Sequence, residues 1–237
     1  MPRTDVEMNE TNTARLANFA RRYLGPTLLV LFSIVSHGCS HALADTHPPL
    51  AEKNVEVPVM IHIARVGDDP VVSRSRAIEQ LARANRELRP HGVLLYLQGV
   101  DYLPAGMARL HRNTERTRLA TYAPVDGTLH VFYVHNVTVP QRKSGDRRVS
   151  GLHWSYQGSK RDLRNRMYLV VAEDAPMTTL AHEVGHAFGL EHEQNNPDNL
   201  MCSCEREADP RFTDGQGHRI RTAAHRFNFE SGNYDPR

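Results

Sequence analysis

"HEVGHAFGLEH", residues 182–192, places three histidines, an acid and a glycine in the pattern H-E-x-x-H-x-x-G-x-x-H. The chain holds 14 histidines, so abundance alone has to be weighed first. In a shuffled chain the full pattern would arise with a chance on the order of 1 in 10⁴, which makes coincidence a poor explanation. Helical geometry accounts for the first spacing. His182 and His186 are four residues apart and stand one turn above each other on one face. Glu183 lies beside them, and Leu180, Val184 and Phe188 supply an opposite apolar face for the core.

Gly189 tolerates the left-handed conformation that ends a helix. Such an exit turns the chain sharply and brings His192 back toward the first two imidazoles. Three neutral imidazoles leave a tetrahedral zinc ion one open position for water. Zinc is favoured over copper or iron because nothing in the sequence suggests redox chemistry, although imidazoles alone do not exclude them. A bound zinc would lower the pKa of that water and polarise a carbonyl. Glu183 is not needed as a ligand and is placed to act as general base. The reaction expected is peptide-bond hydrolysis by a zinc-activated water. The weaker readings are a closed structural zinc site, which leaves Glu183 without a task, and a metal-free surface helix, which leaves Gly189 and His192 unexplained.

The rest of the chain sets the context. At 237 residues it holds one domain with appendages and enough material for a core. The formal net charge of +2 is close to neutral and speaks against nucleic acid as the main partner. Near the N-terminus, Arg21-Arg22 precede the apolar run "LGPTLLVLFSIV" (24–35), and Ala42-Leu43-Ala44 follow. These are the parts of a secretory signal peptide, residues 1–44, cleaved after Ala44. The run is too short for a stable membrane span. Cys39 in "SHGC" fits lipid attachment poorly, because Ser36 and His37 replace small apolar residues. Export to the periplasm or the extracellular space is therefore expected. Cleavage leaves only Cys202 and Cys204, which read as free thiols or as pairing with another molecule, because a bond between them would close a very tight ring.

Residues 45–54 read as a short leader and 55–237 as the catalytic domain. Strands are expected at 55–66, 92–100, 127–137, 151–158 and 166–174, from branched and alternating apolar runs. "SRSRAIEQLARANRELRP" (73–90) carries Ala77, Leu81, Ala84 and Leu88 at helical spacing. As a crossover between the first two strands it makes them parallel. Residues 107–122 read as part helix and part loop, and 138–150 as a polar loop. A final helix spans 212–228, with Thr213 or Asp214 as its N-cap. The pattern is α/β.

The zinc pattern resembles that of the metzincin clan of metalloproteases. The resemblance implies a methionine turn beneath the metal, and "PDNLMCS" (197–203) supplies Met201 for it. It also implies a twisted, mostly parallel sheet with one antiparallel edge strand, here "GLHWSY" (151–156). By analogy Gly151, Leu152 and His153 of that strand would pair with an extended peptide substrate. The His192-to-Met201 distance is similar to that of matrixins, and Glu193 is similar to astacins. Position 203 is serine, so an astacin-type tyrosine is not carried over, and no cysteine switch fits in 45–54. The chain is thus matrixin-like and bacterial-type.

Charge is uneven: residues 142–166 hold eight Lys/Arg against two Asp, and 173–214 hold ten Asp/Glu against two Arg. A basic rim attracting acidic substrates is one reading, solvated loops around the cleft the plainer one. The acidic residues form no calcium loop, so a structural Ca²⁺ has no support. The leading expectation is a monomeric, exported zinc endopeptidase acting on protein or peptide. The alternatives are a zinc amidase or small-peptide hydrolase and a non-catalytic zinc-binding export protein.

Overall fold

The computed structural model describes residues 53–141, 145–204 and 209–230. The expected signal peptide, Cys39 and the leader up to residue 52 lie outside the described residues. In chain order the strands are β1 (Val55–Ile63), β2 (Arg65–Val66), β3 (Asp69–Pro70), β4 (Val93–Tyr102), β5 (Arg109–Leu110), β6 (Leu129–Val134), β7 (Asn136–Gln141), β8 (Gly145–Arg148), β9 (Gly151–Ser155) and β10 (Met167–Ala172). The helices are α1 (Arg74–Leu88), α2 (Asn113–Leu119), α3 (Thr179–Ala187) and α4 (Asp214–Glu230).

One sheet organises these elements, in the order β4-β1-β6-β10-β9. Its first four strands are parallel, and β9 pairs antiparallel with β10 at the edge. The expected α/β class, mostly parallel sheet and antiparallel edge strand are all present. Helix α1 is the crossover that makes β1 and β4 parallel. Ser73 caps its N-terminus by accepting from the Arg76 N–H at 3.2 Å. The stripe Ala77, Leu81, Ala84 and Leu88 is buried against the sheet, as its spacing requires. Strand β6 is buried at every position, and β10 at all but its first, which explains the continuous apolar run of β10 and that of β6 after His130.

Side chains alternate between the two faces of the sheet. On one face Phe132, Tyr168 and Trp154 form an aromatic row, with Phe132 and Tyr168 edge-on at 5.0 Å and Tyr168 and Trp154 stacked at 4.8 Å. The opposite face receives α1, where the Tyr133 hydroxyl donates to the Ala77 carbonyl at 3.4 Å.

Residues 138–150 are not the loop expected from their polarity. Strands β7 and β8 form an antiparallel hairpin there, with Thr138 opposite Arg148 and Val139 opposite Arg147. Every residue of β8 is exposed. A strand held by backbone pairing over solvent needs no apolar alternation, so the sequence of β8 carried no strand signal, whereas β7 is buried at Val137 and Thr138. The helix at 107–122 is confined to α2 and a following 3₁₀ turn, Ala120–Tyr122. No helix among the described residues is long and apolar enough to cross a membrane.

Candidate metal centre and cleft

Helix α3 follows β10 by a short loop and is almost wholly buried. Leu180 and Val184 are fully buried and Phe188 nearly so, and these anchor the helix in the core. His182 and Glu183 are also buried, at 8% and 5% exposure, so the polar face of this helix lies under the edge of the sheet and away from bulk water.

The helix ends as its glycine dictates. Gly189 has φ +81° and nothing within 4 Å of where a Cβ would stand, so it is required for its conformation, not for space. The Leu190 N–H donates to the Gly185 carbonyl at 2.9 Å and the Gly189 N–H to the His186 carbonyl at 3.0 Å. This pair of bonds is the Schellman arrangement. It satisfies helix-end carbonyls and reverses the chain, so that His192 returns to the helix face.

The three imidazoles then converge. Nε2 of His186 lies 3.1 Å from Nε2 of both His182 and His192, and the remaining pair are 3.3 Å apart. Two of the rings are held from behind. His182 Nδ1–H donates to the Leu200 carbonyl and His186 Nδ1–H to the Leu190 carbonyl, each at 2.8 Å. A neutral imidazole donating through Nδ1 presents a lone pair at Nε2. Such lone pairs repel at 3.1 Å unless a cation lies between them. Imidazole nitrogens about 2.0–2.1 Å from a tetrahedral zinc would be about 3.3–3.4 Å apart. The donor set and its spacing thus fit zinc. Burial, opposed in part by the Leu190 bond and aided by His192, lowers the pKa of His186, which favours the neutral ligand form.

Met201 lies beneath this group, fully buried. A Cβ on Gly185 would stand 2.5 Å from its Sδ, so the glycine between the first two histidines admits the methionine. Asn199 fixes the turn: its Oδ1 accepts from the Met201 N–H at 2.8 Å, and its amide exchanges bonds of 3.0 and 3.2 Å with Gln216 of α4. The Glu193 N–H bonds the Met201 carbonyl at 2.9 Å and the Ser203 N–H bonds Glu193 at 3.1 Å, joining the segment after His192 to the methionine turn. Neither Gly185 nor Asn199 stood out in the sequence as more than a helix residue and a neighbour of Met201.

Cys202 and Cys204 are disulfide-bonded, contrary to the expectation of free thiols. The turn after Met201 folds the chain enough to bring their Cα atoms to 5.1 Å, within the ordinary range for a disulfide. Both cysteines line the cleft.

That cleft is open, has a volume of about 700 Å³, and is bounded by β9, the β7–β8 hairpin, the histidine cluster and the Cys202–Cys204 turn. Gly151, Leu152 and His153 all line it. Strand periodicity points Gly151 and His153 toward α3 and Leu152 away. At Gly151 a Cβ would collide with the Glu183 carboxylate and stand 2.7 Å from Thr179 Cγ2. The strand therefore lies directly on the acid, and only a glycine permits it. Burial, aided by His186, pushes the His153 pKa down to about 4, so its ring is neutral near pH 7.

No family model and no curated protein matches the chain. Solved structures do. Mature mirolysin of Tannerella forsythia, in complex with a cleaved peptide, superposes with a TM-score of 0.56 at 12% identity, over 76% of this chain and 97% of that one. Mirolysin in complex with a compound gives 0.53 at 13% identity, over 72% and 91%. Metalloproteinase-II of Bacteroides fragilis gives 0.51 at 15% identity, over 73% of this chain but only 55% of that longer one. At such identities the likeness shows the fold alone: a mostly parallel α/β sheet with one antiparallel edge strand, resembling that of mirolysin.

Proposed function

We propose that the chain is an exported zinc-dependent endopeptidase, with His182, His186 and His192 as metal ligands and Glu183 as general base. The convergence of the three Nε2 atoms at 3.1–3.3 Å, beside a buried carboxylate and open to a cleft, carries this reading. The fold shared with mirolysin and metalloproteinase-II supports it. Bound zinc supplies Lewis acidity, which activates water and polarises a carbonyl oxygen. The protein supplies the rest. Leu190 and Leu200 carbonyls orient two of the rings. Glu183 takes the proton of the attacking water and returns it to the leaving amine nitrogen. Strand β9 offers its free edge to an extended peptide, and Gly151 brings that edge onto Glu183. Export rests on the sequence of residues 1–44.

An open cleft with a strand along one side suits a chain of several residues better than a compact amide, which favours an endopeptidase over an amidase. The test is zinc-loaded protein, a chelated sample and Glu183→Ala, each given a mixed peptide library. Cleavage inside long peptides by the first alone is expected, with Glu183→Ala still binding zinc. Equal cleavage by Glu183→Ala would remove the general-base assignment. Cleavage of short peptides only would favour the small-peptide hydrolase. Tight zinc binding without any cleavage would favour the non-catalytic protein.

A further inference from the structure

Resting on the peptidase reading, we propose that Arg147 makes the cleft select peptides carrying an acidic side chain close to the cleaved bond. The residue lies on β8, two positions before the turn into the edge strand, and lines the same cleft as the histidine cluster. It is exposed and has no ion-pair partner among the described residues. Its neighbour Arg148 also lines the cleft but is paired with Asp174 at 2.9 Å. Arg147 is thus the cation left available there.

The balance of charge around it is one-sided. Among the described residues lining the cleft, Glu183 is the sole carboxylate, and it is buried beneath Gly151. Hairpin pairing fixes Arg147 opposite Val139, so the guanidinium stands on a held backbone. A planar guanidinium matches a carboxylate with two parallel N–H donors, which gives an acidic side chain more than a general field would.

The experiment uses one neutral peptide that the wild-type protein cleaves, remade with Asp or Glu, with Asn or Gln, and with Lys at each position around the cleaved bond. Cleavage of the neutral peptide tests the peptidase reading by itself. The ratio of kcat/KM for acidic over neutral peptides tests the role of Arg147. A ratio of about five at low salt, declining as salt rises, is expected from a partly exposed pair. Arg147→Ala should bring the ratio to about one, and Arg147→Glu should favour the Lys peptide, with the neutral peptide cleaved as before. Arg65→Ala, a cation stacked on Tyr102 at 4.6 Å and absent from the cleft lining, should leave the ratio intact. Binding of the labelled acidic peptide to zinc-loaded Glu183→Ala, with and without Arg147→Ala, gives a readout free of turnover. An unchanged ratio and unchanged binding in both Arg147 variants would overturn the proposal and leave the peptidase reading standing. Failure of wild type to cleave any peptide would overturn both.

Discussion

Gly151→Ala is the sharpest perturbation of this site, because one methyl group meets two side chains at once. The added Cβ would overlap the Glu183 carboxylate and stand 2.7 Å from Thr179 Cγ2 and 2.8 Å from Glu183 Cδ. Thr179 is β-branched, stiff at χ1 and 2% exposed, so it does not give way. The carboxylate must rotate out, or β9 must lift from α3. Overpacking of this kind costs about 1–3 kcal/mol of stability, which a domain of this size survives. Displacing the acid by about 1 Å costs far more in rate, on the order of 100-fold in kcat. Zinc affinity should change little, because the three imidazoles and their carbonyl partners are untouched. The assay is kcat/KM on a neutral peptide, with zinc content and melting temperature measured on the same samples. Full activity in a folded, zinc-loaded Gly151→Ala protein would refute a placement of the edge strand on the proposed general base, Glu183. Loss of activity together with loss of zinc would refute the separation of the two.

Three further outcomes are expected. Gly189→Ala should cost about 1 kcal/mol through its positive φ, while Gly189→Asn, which tolerates that conformation, should cost less; thermal melts of the two decide it. Asn199→Ala strips acceptors and donors from Met201 and Gln216 in a buried site and should cost about 2–4 kcal/mol, with weakened zinc binding, read by denaturant titration and metal competition. His62 is buried beside His130, and its pKa is pushed down to about 4 by burial first and by His130 second, with Asp126 acting the other way. An unfolded histidine binds its proton near pH 6.5, so stability from this group is complete above that pH and is lost as pH falls toward about 4. His62→Phe should therefore flatten the pH dependence of stability over that window, by up to about 3 kcal/mol, in chelated protein. Parallel curves for the two proteins would show that the ring is not desolvated as described.

The sheet and its helices were legible because their residues obey simple periods. Ala77, Leu81, Ala84 and Leu88 repeat every three or four residues, and β10 and, apart from His130, β6 are apolar runs; burial on one or two faces leaves no other choice. The motif residues were legible for a different reason, since helical spacing brings His182 and His186 together and a glycine at 189 dictates the exit. The β7–β8 hairpin was not, because β8 is exposed throughout and held by backbone bonds that leave no trace in polarity. Nor was the Cys202–Cys204 bond, which depends on how sharply the turn after Met201 folds and not on sequence distance.

Besides that disulfide and the Asn199 amide, what remained hidden is carried by backbone, or by the absence of a side chain. The Leu190 and Leu200 carbonyls orient two of the clustered imidazoles, and any residue in those places would offer the same oxygen. Their positions come from two turns, the Gly189 exit and the Asn199–Met201 turn, so the geometry of the proposed metal centre is set by the residues that shape those turns. Gly151 and Gly185 act by what they lack, one admitting the edge strand onto Glu183 and the other admitting Met201 beneath the histidines. Swapping Leu190 or Leu200 for another apolar residue should therefore disturb packing before it disturbs zinc, whereas Gly189 and Asn199 act on the metal through the turns. A Leu200→Met protein that kept its stability but lost zinc would contradict this division, since its carbonyl is unchanged.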